Sequence, residues 1–403
     1  MDKAEKLFLE VLRCAVRGEQ LDLNEMPEQS VLRRLFRLSR EHSLFPLVFN
    51  SLCSCPICNA DPFVRSFQRN ARMLALHQAR RTADFLLLME QLRDRGLHPA
   101  VLKGAVCRSL YPQPELRPST DEDLFIPPEE YPLYHEALLA CGLQMKSPDQ
   151  SFDKDYEIAY VDPHRDLYLE LHYSLFYAED QAVGDCSRLF DAALSRTVPI
   201  RIYGQTLNTL APTDNLLYLL CHAYKHFLFG GVGLRQICDI CLFAERYCGE
   251  IDWARLRADC EELRILTLAG AIFRIGQRHL SIPCPAAFSD LDMDELPLLE
   301  DCLSGGVYGV VDPDRQHSSR ITLDAVAAGK QGRAQRGIWK SIFPGKDYLQ
   351  KNYPYAHRHR ILIPAAWAQR LWHYAAHRRL SAAKSLQYGR ERVQLLRQYK
   401  IIP

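Results

Sequence analysis

Asp121-Glu122-Asp123-Leu124-Phe125-Ile126, closed by Pro127-Pro128, is the stretch on which the fold turns. Read as a strand, its period of two puts Asp121 and Asp123 on one face and Glu122 on the other. Two carboxylates side by side repel unless a cation lies between them, so the pair suits magnesium. A lone D-x-D is a weak motif, and a pair of acids in a loop or helix cap is its commoner meaning. The proline pair stops the strand and, with Glu129 and Glu130, suits the first turn of a helix running to about Cys141.

A second segment gives the pair its context. In Asp166–Tyr173, Leu167, Leu169 and Leu171 form one face, and Tyr168, Glu170 and His172 the other. Three carboxylates on two strands can hold two magnesium ions, the arrangement that clamps a triphosphate and activates a hydroxyl.

Further strands are expected at 100–102 and 156–161, with a hairpin around Tyr203-Gly204-Gln205. Upstream, residues 3–95 read as helical throughout. Downstream, Thr213 is expected to cap a helix over Asp214–Phe229, followed by a helix over Leu234–Tyr247 and more helical pattern over 253–280. The middle segment alternates strand and helix as an α/β or α+β domain would. The expected divisions are a helical region 1–95, a mixed core 96–211, a helical domain 212–345, and a basic helical segment 346–403.

Composition excludes several classes. The 403 residues are 47% hydrophobic and 25% charged, an ordinary globular balance. There is no low-complexity run and no repeat. No stretch reaches the ~18 apolar residues of a membrane span. With no apolar leader at the N-terminus, a cytoplasmic protein is the expectation. The fourteen cysteines suit reduced, packed thiols. Cys53, Cys55 and Cys58, and the pair Cys238 and Cys241, are read as structural rather than as zinc ligands.

The net charge of +1 hides an asymmetry. From residue 331 onward there are 15 Lys and Arg against two acids, Asp347 and Glu391, a charge of +13. The preceding 330 residues hold 35 basic and 47 acidic groups, or −12. Such a tail binds an anionic partner or docks on the protein's own acidic body, for example at 290–301. Trp367, Trp372 and Tyr374, among Arg370, Arg378 and Arg379, are read first as packing residues of a helix with a solvated basic face.

Taken in order, Leu102-Lys103-Gly104, Leu110-Tyr111-Pro112, Arg117 and Asp121-Glu122-Asp123-Leu124 resemble the opening of the uncharacterised bacterial nucleotidyltransferase family of the DNA polymerase β-like superfamily. Leu169-Glu170-Leu171-His172 resembles its second block. The segments 220–226 and 234–239 resemble its third, so the likeness runs over about 100–245.

The resemblance implies an α+β fold, a small mixed sheet with flanking helices and then the helical domain 212–345 closing over the site. It further implies transfer of a nucleoside monophosphate from an NTP, ATP first among the candidates, to a hydroxyl acceptor with release of pyrophosphate. It assigns Asp121, Asp123 and Glu170 to two magnesium ions, with Glu170 easing deprotonation of the acceptor. Lys103 and Gly104 stand where the superfamily has Gly-Ser and would meet the phosphates. Arg117, His222 and Lys225 are further nucleotide contacts, and Glu122 implies an exposed strand end or added negative charge at the site. His222 and His226 lie four apart on a helix, and Arg235 and Asp239 read as an i,i+4 salt bridge. The alternative is a non-catalytic module that keeps the fold and binds a nucleotide or partner.

Overall fold

The computed structural model describes residues 1–330, apart from Lys154, Glu179, Val310, Pro313, Gln316 and His317, and then Tyr353, Tyr355, 362–376 and 382–403. Helices α1 (Lys3–Arg17), α2 (Gln29–Glu41), α3 (Phe45–Ser54), α4 (Pro56–Ala60), α5 (Pro62–Arg65) and α6 (Gln68–Arg93) come first. Asp2 and Glu5 form a reciprocal capping box at the start of α1, and Gly18 in the left-handed region ends it. The expected helical region is therefore six helices, with an irregular stretch between α1 and α2.

Strand β1 (Ala100–Val101) leads into α7 (Lys103–Arg108), and β2 (Glu122–Phe125) into α8 (Tyr131–Ala140). Strands β3 (Gln144–Met145), β4 (Glu157–Val161), β5 (Tyr168–His172), β6 (Val198–Ile202) and β7 (Gln205–Thr209) complete a sheet ordered β3-β4-β5-β2-β1-β7-β6. It is mixed: β2 runs parallel to β5 and β1 to β7, and the other neighbours are antiparallel. The β6–β7 turn has Tyr203 and Gly204 both at positive φ, the geometry a two-residue hairpin needs.

The chain then returns to helix with α9 (Pro212–Phe229), α10 (Leu234–Arg246), α11 (Trp253–Glu262), α12 (Leu266–Leu280), α13 (Ala286–Ser289), α14 (Leu296–Gly305), α15 (Ser319–Lys330), α16 (Ile363–Ala376) and α17 (Ala382–Gln398). Thr213 is not the cap of α9. The helix starts one residue earlier at Pro212, whose missing N–H costs nothing there, and Thr213 Oγ1 instead accepts from Asp252 N.

One buried apolar cluster joins Phe8 and Leu12 of α1, Leu124 and Leu171 of the sheet, Leu216 of α9 and Leu396 of α17. The C-terminal helix is thus part of the core, not an appended tail. Its Tyr399 hydroxyl donates to Asp294 O and accepts from Leu298 N, so part of the basic segment does dock on the 290–301 stretch. The calls on Arg370, Tyr374, Arg378 and Arg379 lie outside the described side chains. Trp367 packs beside Ile363 and Ala366, whereas Trp372 is exposed. Among the described residues no helix is long and apolar enough to cross a membrane.

Candidate active site

Register brings the three carboxylates together. In the parallel β2–β5 pair Asp123 lies directly opposite Glu170 and Phe125 opposite His172, while β4 on the other side sets Glu157 opposite His172 and Ala159 opposite Glu170. Direct partners share a face, so Asp123, Glu170, His172 and Glu157 project together. Asp121 stands just before β2. The loop that delivers it is fixed from α6, where Gln78 Oε1 accepts from Ser119 N at 2.8 Å and Arg81 donates to Ser119 O and to Asp166.

Facing these strands is α9, and between them opens a cleft of about 730 Å³. Lys103, Asp121, Glu157, Glu170, His222 and Lys225 line it, together with Lys146 and Tyr168. Gly104 and Arg117 line a smaller recess alongside, with Lys103, Asp121 and Arg235.

Asp123 is fully buried. Its Oδ1 accepts from Lys103 Nζ at 3.0 Å and from His172 Nε2 at 3.1 Å, while Oδ2 has no hydrogen-bond partner among the described residues. A buried carboxylate oxygen without a donor is costly unless something positive meets it. Ligand atoms of Asp123, Glu170 and His172 all lie within 4.8 Å of one another, close enough to share an ion. The orphan oxygen and this donor set fit a divalent cation, with oxygen ligands suited to a hard ion.

His172 adds a complication. Burial disfavours its charge, but hydrogen bonds to Asp123 and Glu157 prevail and push its pKa up to about 9. His172 lies between Asp123 and Glu157, 3.1 Å from a carboxylate oxygen of each. Glu157, 3.1 Å from His172 Nδ1, is held down at about 2: burial opposes its charge, but the His172 hydrogen bond outweighs it. Burial, then the Asp123 carboxylate, push Glu170 up to about 7. Asp121 is lowered, because Lys103 and then Arg235 outweigh its burial.

On α9, His222 Nε2 lies 3.4 Å from Lys103 Nζ and 2.8 Å from His226 Nε2. Burial first, then Lys103, depress both imidazoles, which leaves them neutral. Lys225 donates to the Tyr156 hydroxyl at 2.9 Å, and burial lowers its pKa.

Two expectations are corrected here. Glu122 is neither at an exposed strand end nor a charge added to the cleft. It is fully buried on the opposite face, 2.5 Å from Arg108, whose guanidinium also donates to Ser119 Oγ. Asp239 pairs with Arg117, through Nε at 3.0 Å and Nη2 at 2.5 Å, and accepts from the Tyr111 hydroxyl at 2.8 Å. Arg235 instead donates to Pro118 O. Helical spacing had suggested an i,i+4 pair, but a buried guanidinium with two donors in plane is the better match for the carboxylate.

Glu157, Lys146, Tyr156 and Gln78 went unrecognised in the sequence. Antiparallel register places Glu157 beside His172, and that register is not written in local pattern. Gly104 is explained by contact: a Cβ there would strike the Glu122 carboxylate and come within 3.1 Å of Asp121 O.

A mixed sheet that sets Asp123 opposite Glu170 on adjacent parallel strands, with Asp121 just before the first of them and a helical layer across the cleft, fits an α+β nucleotidyltransferase fold. The chain belongs to a family described as uncharacterised nucleotidyltransferase, which matches residues 29–281. The match begins at α2 and ends after α12, so the family unit includes α6, which braces the Asp121 loop. No curated protein and no solved structure matches the chain.

Proposed function

We propose that this protein is a magnesium-dependent nucleotidyltransferase that moves a nucleoside monophosphate from an NTP, ATP first, to a hydroxyl acceptor. The observation that carries this reading is that Asp121 and Glu170 line one cleft and the buried Asp123 has a ligand atom within 4.8 Å of one on Glu170, its Oδ2 without a donor among the described residues. Magnesium bound there would neutralise phosphate charge and polarise the α-phosphorus.

The acceptor oxygen bonds to the α-phosphorus, the bond to the bridging oxygen breaks, and pyrophosphate leaves with that electron pair. Glu170, raised to about 7, is suited to take the hydroxyl proton. His172 holds Asp123 from the side through its 3.1 Å hydrogen bond. Lys225 and Lys103 meet phosphate charge from opposite walls, with neutral His222 as a hydrogen-bond partner beside them. Gly104 lets α7 approach β2 closely enough to place Lys103. Arg117 acts by holding Asp239 and the wall of the recess.

One observation favours the alternative of a non-catalytic binding module: Lys103 and His172 already supply two positive charges to the carboxylates. The two readings part in one experiment. ATP labelled at the α-phosphate, incubated with protein, magnesium and cell extract, should leave label on an acceptor and release pyrophosphate. Transfer only from γ-labelled ATP would make the protein a kinase. Binding without transfer from either position would favour the module.

A further inference from the structure

The Lys103 ammonium lies 3.0 Å from Asp123 Oδ1 and 3.8 Å from Asp121 Oδ2. It bridges the two aspartates that the proposed activity assigns to a divalent ion, and its side chain is nearly buried there. The cation that such a pair needs is thus supplied by the chain itself.

We infer that Lys103 is an internal counter-cation that keeps the Asp121–Asp123 pair closed to free divalent ions, so that ion and nucleoside triphosphate enter as a pair. The inference rests on the nucleotidyltransferase reading and adds an order of loading to it.

The backbone around Lys103 is fixed, so any exchange falls to the side chain. Leu102 N donates to Asp123 O at 2.9 Å, and Gly104 packs directly on the Asp121 carbonyl and the Glu122 carboxylate. The lysine stem is long and rotatable and can carry its charge to a new partner without moving α7. Leaving has a consequence, however. Asp121 and Asp123 would lose the cation between them, and Asp123 would keep only His172 on Oδ1. A divalent ion alone repairs that loss but meets the ammonium's repulsion. A triphosphate supplies the anion that draws the ammonium away, into a cleft that Lys103 lines together with His222 and Lys225. Because the coupling is a free energy between two ligands, each must raise the affinity of the other.

Calcium and an α,β-methylene analogue of ATP test this in the full chain without turnover. Calorimetry should show weak binding of calcium alone to wild type, and its melting temperature should respond to calcium only when the analogue is present. Lys103→Met should bind calcium alone at least about tenfold more tightly. It should also melt lower than wild type without calcium and recover when calcium is added. Lys103→Arg, which keeps the charge, should remain weak. If Lys103→Met does not fold without metal, Lys103→Gln serves for the same titration. Unchanged or weaker calcium affinity in the neutral variants, with wild type still taking up calcium and analogue together, overturns the inference alone. If no protein takes up calcium even with the analogue, the nucleotidyltransferase reading falls as well.

Discussion

Asp121, Asp123 and Glu170 differ in surroundings more than their shared chemistry suggests. Asp123 is fully buried between two cations, Asp121 is held ionised by Lys103, and Glu170 is pushed up to about 7. Their substitutions should therefore separate. Glu170→Gln keeps the shape and the aspartate pair, so it should retain NTP affinity within about threefold while turnover falls by about a hundredfold or more. Parallel calorimetry and rate measurements check this, and equal losses in both would remove the proton-accepting role. Arg117 gives a contrasting case. Its guanidinium is committed to buried Asp239, so Arg117→Ala should cost about 3–5 kcal/mol of stability in denaturant titration. A variant of unchanged stability but weakened NTP binding would return Arg117 to the phosphates. Period-two reading found both acidic faces because side-chain alternation is local. The exposed setting expected for Glu122 and the i,i+4 partner expected for Asp239 failed because Arg108 and Arg117, their partners, are chosen by packing.

Between elements, the α2–α10 junction carries a buried imidazole. His42, at the end of α2, accepts from Leu234 N at 3.1 Å through Nδ1, and stacks on Phe8. Burial, then Arg34, depress its pKa to about 3. A folded-state value below the unfolded one means stability is fully present above about pH 6.5 and is lost as pH falls toward 3, when the unfolded chain takes up the proton first. The slope is about 1.4 kcal/mol per pH unit in that window. Denaturant titrations at pH 7 and 5 should show this loss, and His42→Asn, which keeps an acceptor but cannot titrate, should show about 2 kcal/mol less of it. Equal pH dependence in both proteins would contradict the assignment. Every strand but the two-residue β3 and most helices were legible at this scale, because periodicity and turn residues are properties of short segments. The start of α9 was not, since Pro212 and Thr213 both suit a helix start and a tertiary bond to Asp252 decided between them.

Across the whole molecule, the charge asymmetry suggested a basic segment that binds an anionic partner or docks on the acidic body, and α17 with the residues after it packs into the core. Val393, Leu396, Tyr399 and Ile401 are all buried, and Lys384 lies 2.5 Å from Asp312. Burial of four such side chains is worth about 1.5–3 kcal/mol each. Deleting residues 382–403 should therefore abolish cooperative folding or lower the melting temperature by more than 10 °C, roughly what a loss of several kcal/mol implies for a chain this long. A truncated protein melting like the full chain would show that α17 is dispensable. Net charge could not reveal this, because an amphipathic helix can carry a basic outer face and an apolar inner one. Within α17, Arg392 is buried with no hydrogen-bond partner on its guanidinium among the described residues, and burial lowers its pKa to about 10. Arg392→Met should be neutral or stabilising by about 1 kcal/mol in thermal denaturation, whereas a large loss would reveal a partner for the charge.

The central claim is that the aspartate pair carries magnesium and, through it, a triphosphate. Calorimetric titration of ATP into wild type and Asp123→Asn, each with and without magnesium, tests it most directly. The account predicts saturable binding only for wild type with magnesium, and none above background for Asp123→Asn in either condition. Equal ATP binding by both proteins, or binding by wild type that ignores magnesium, would contradict it.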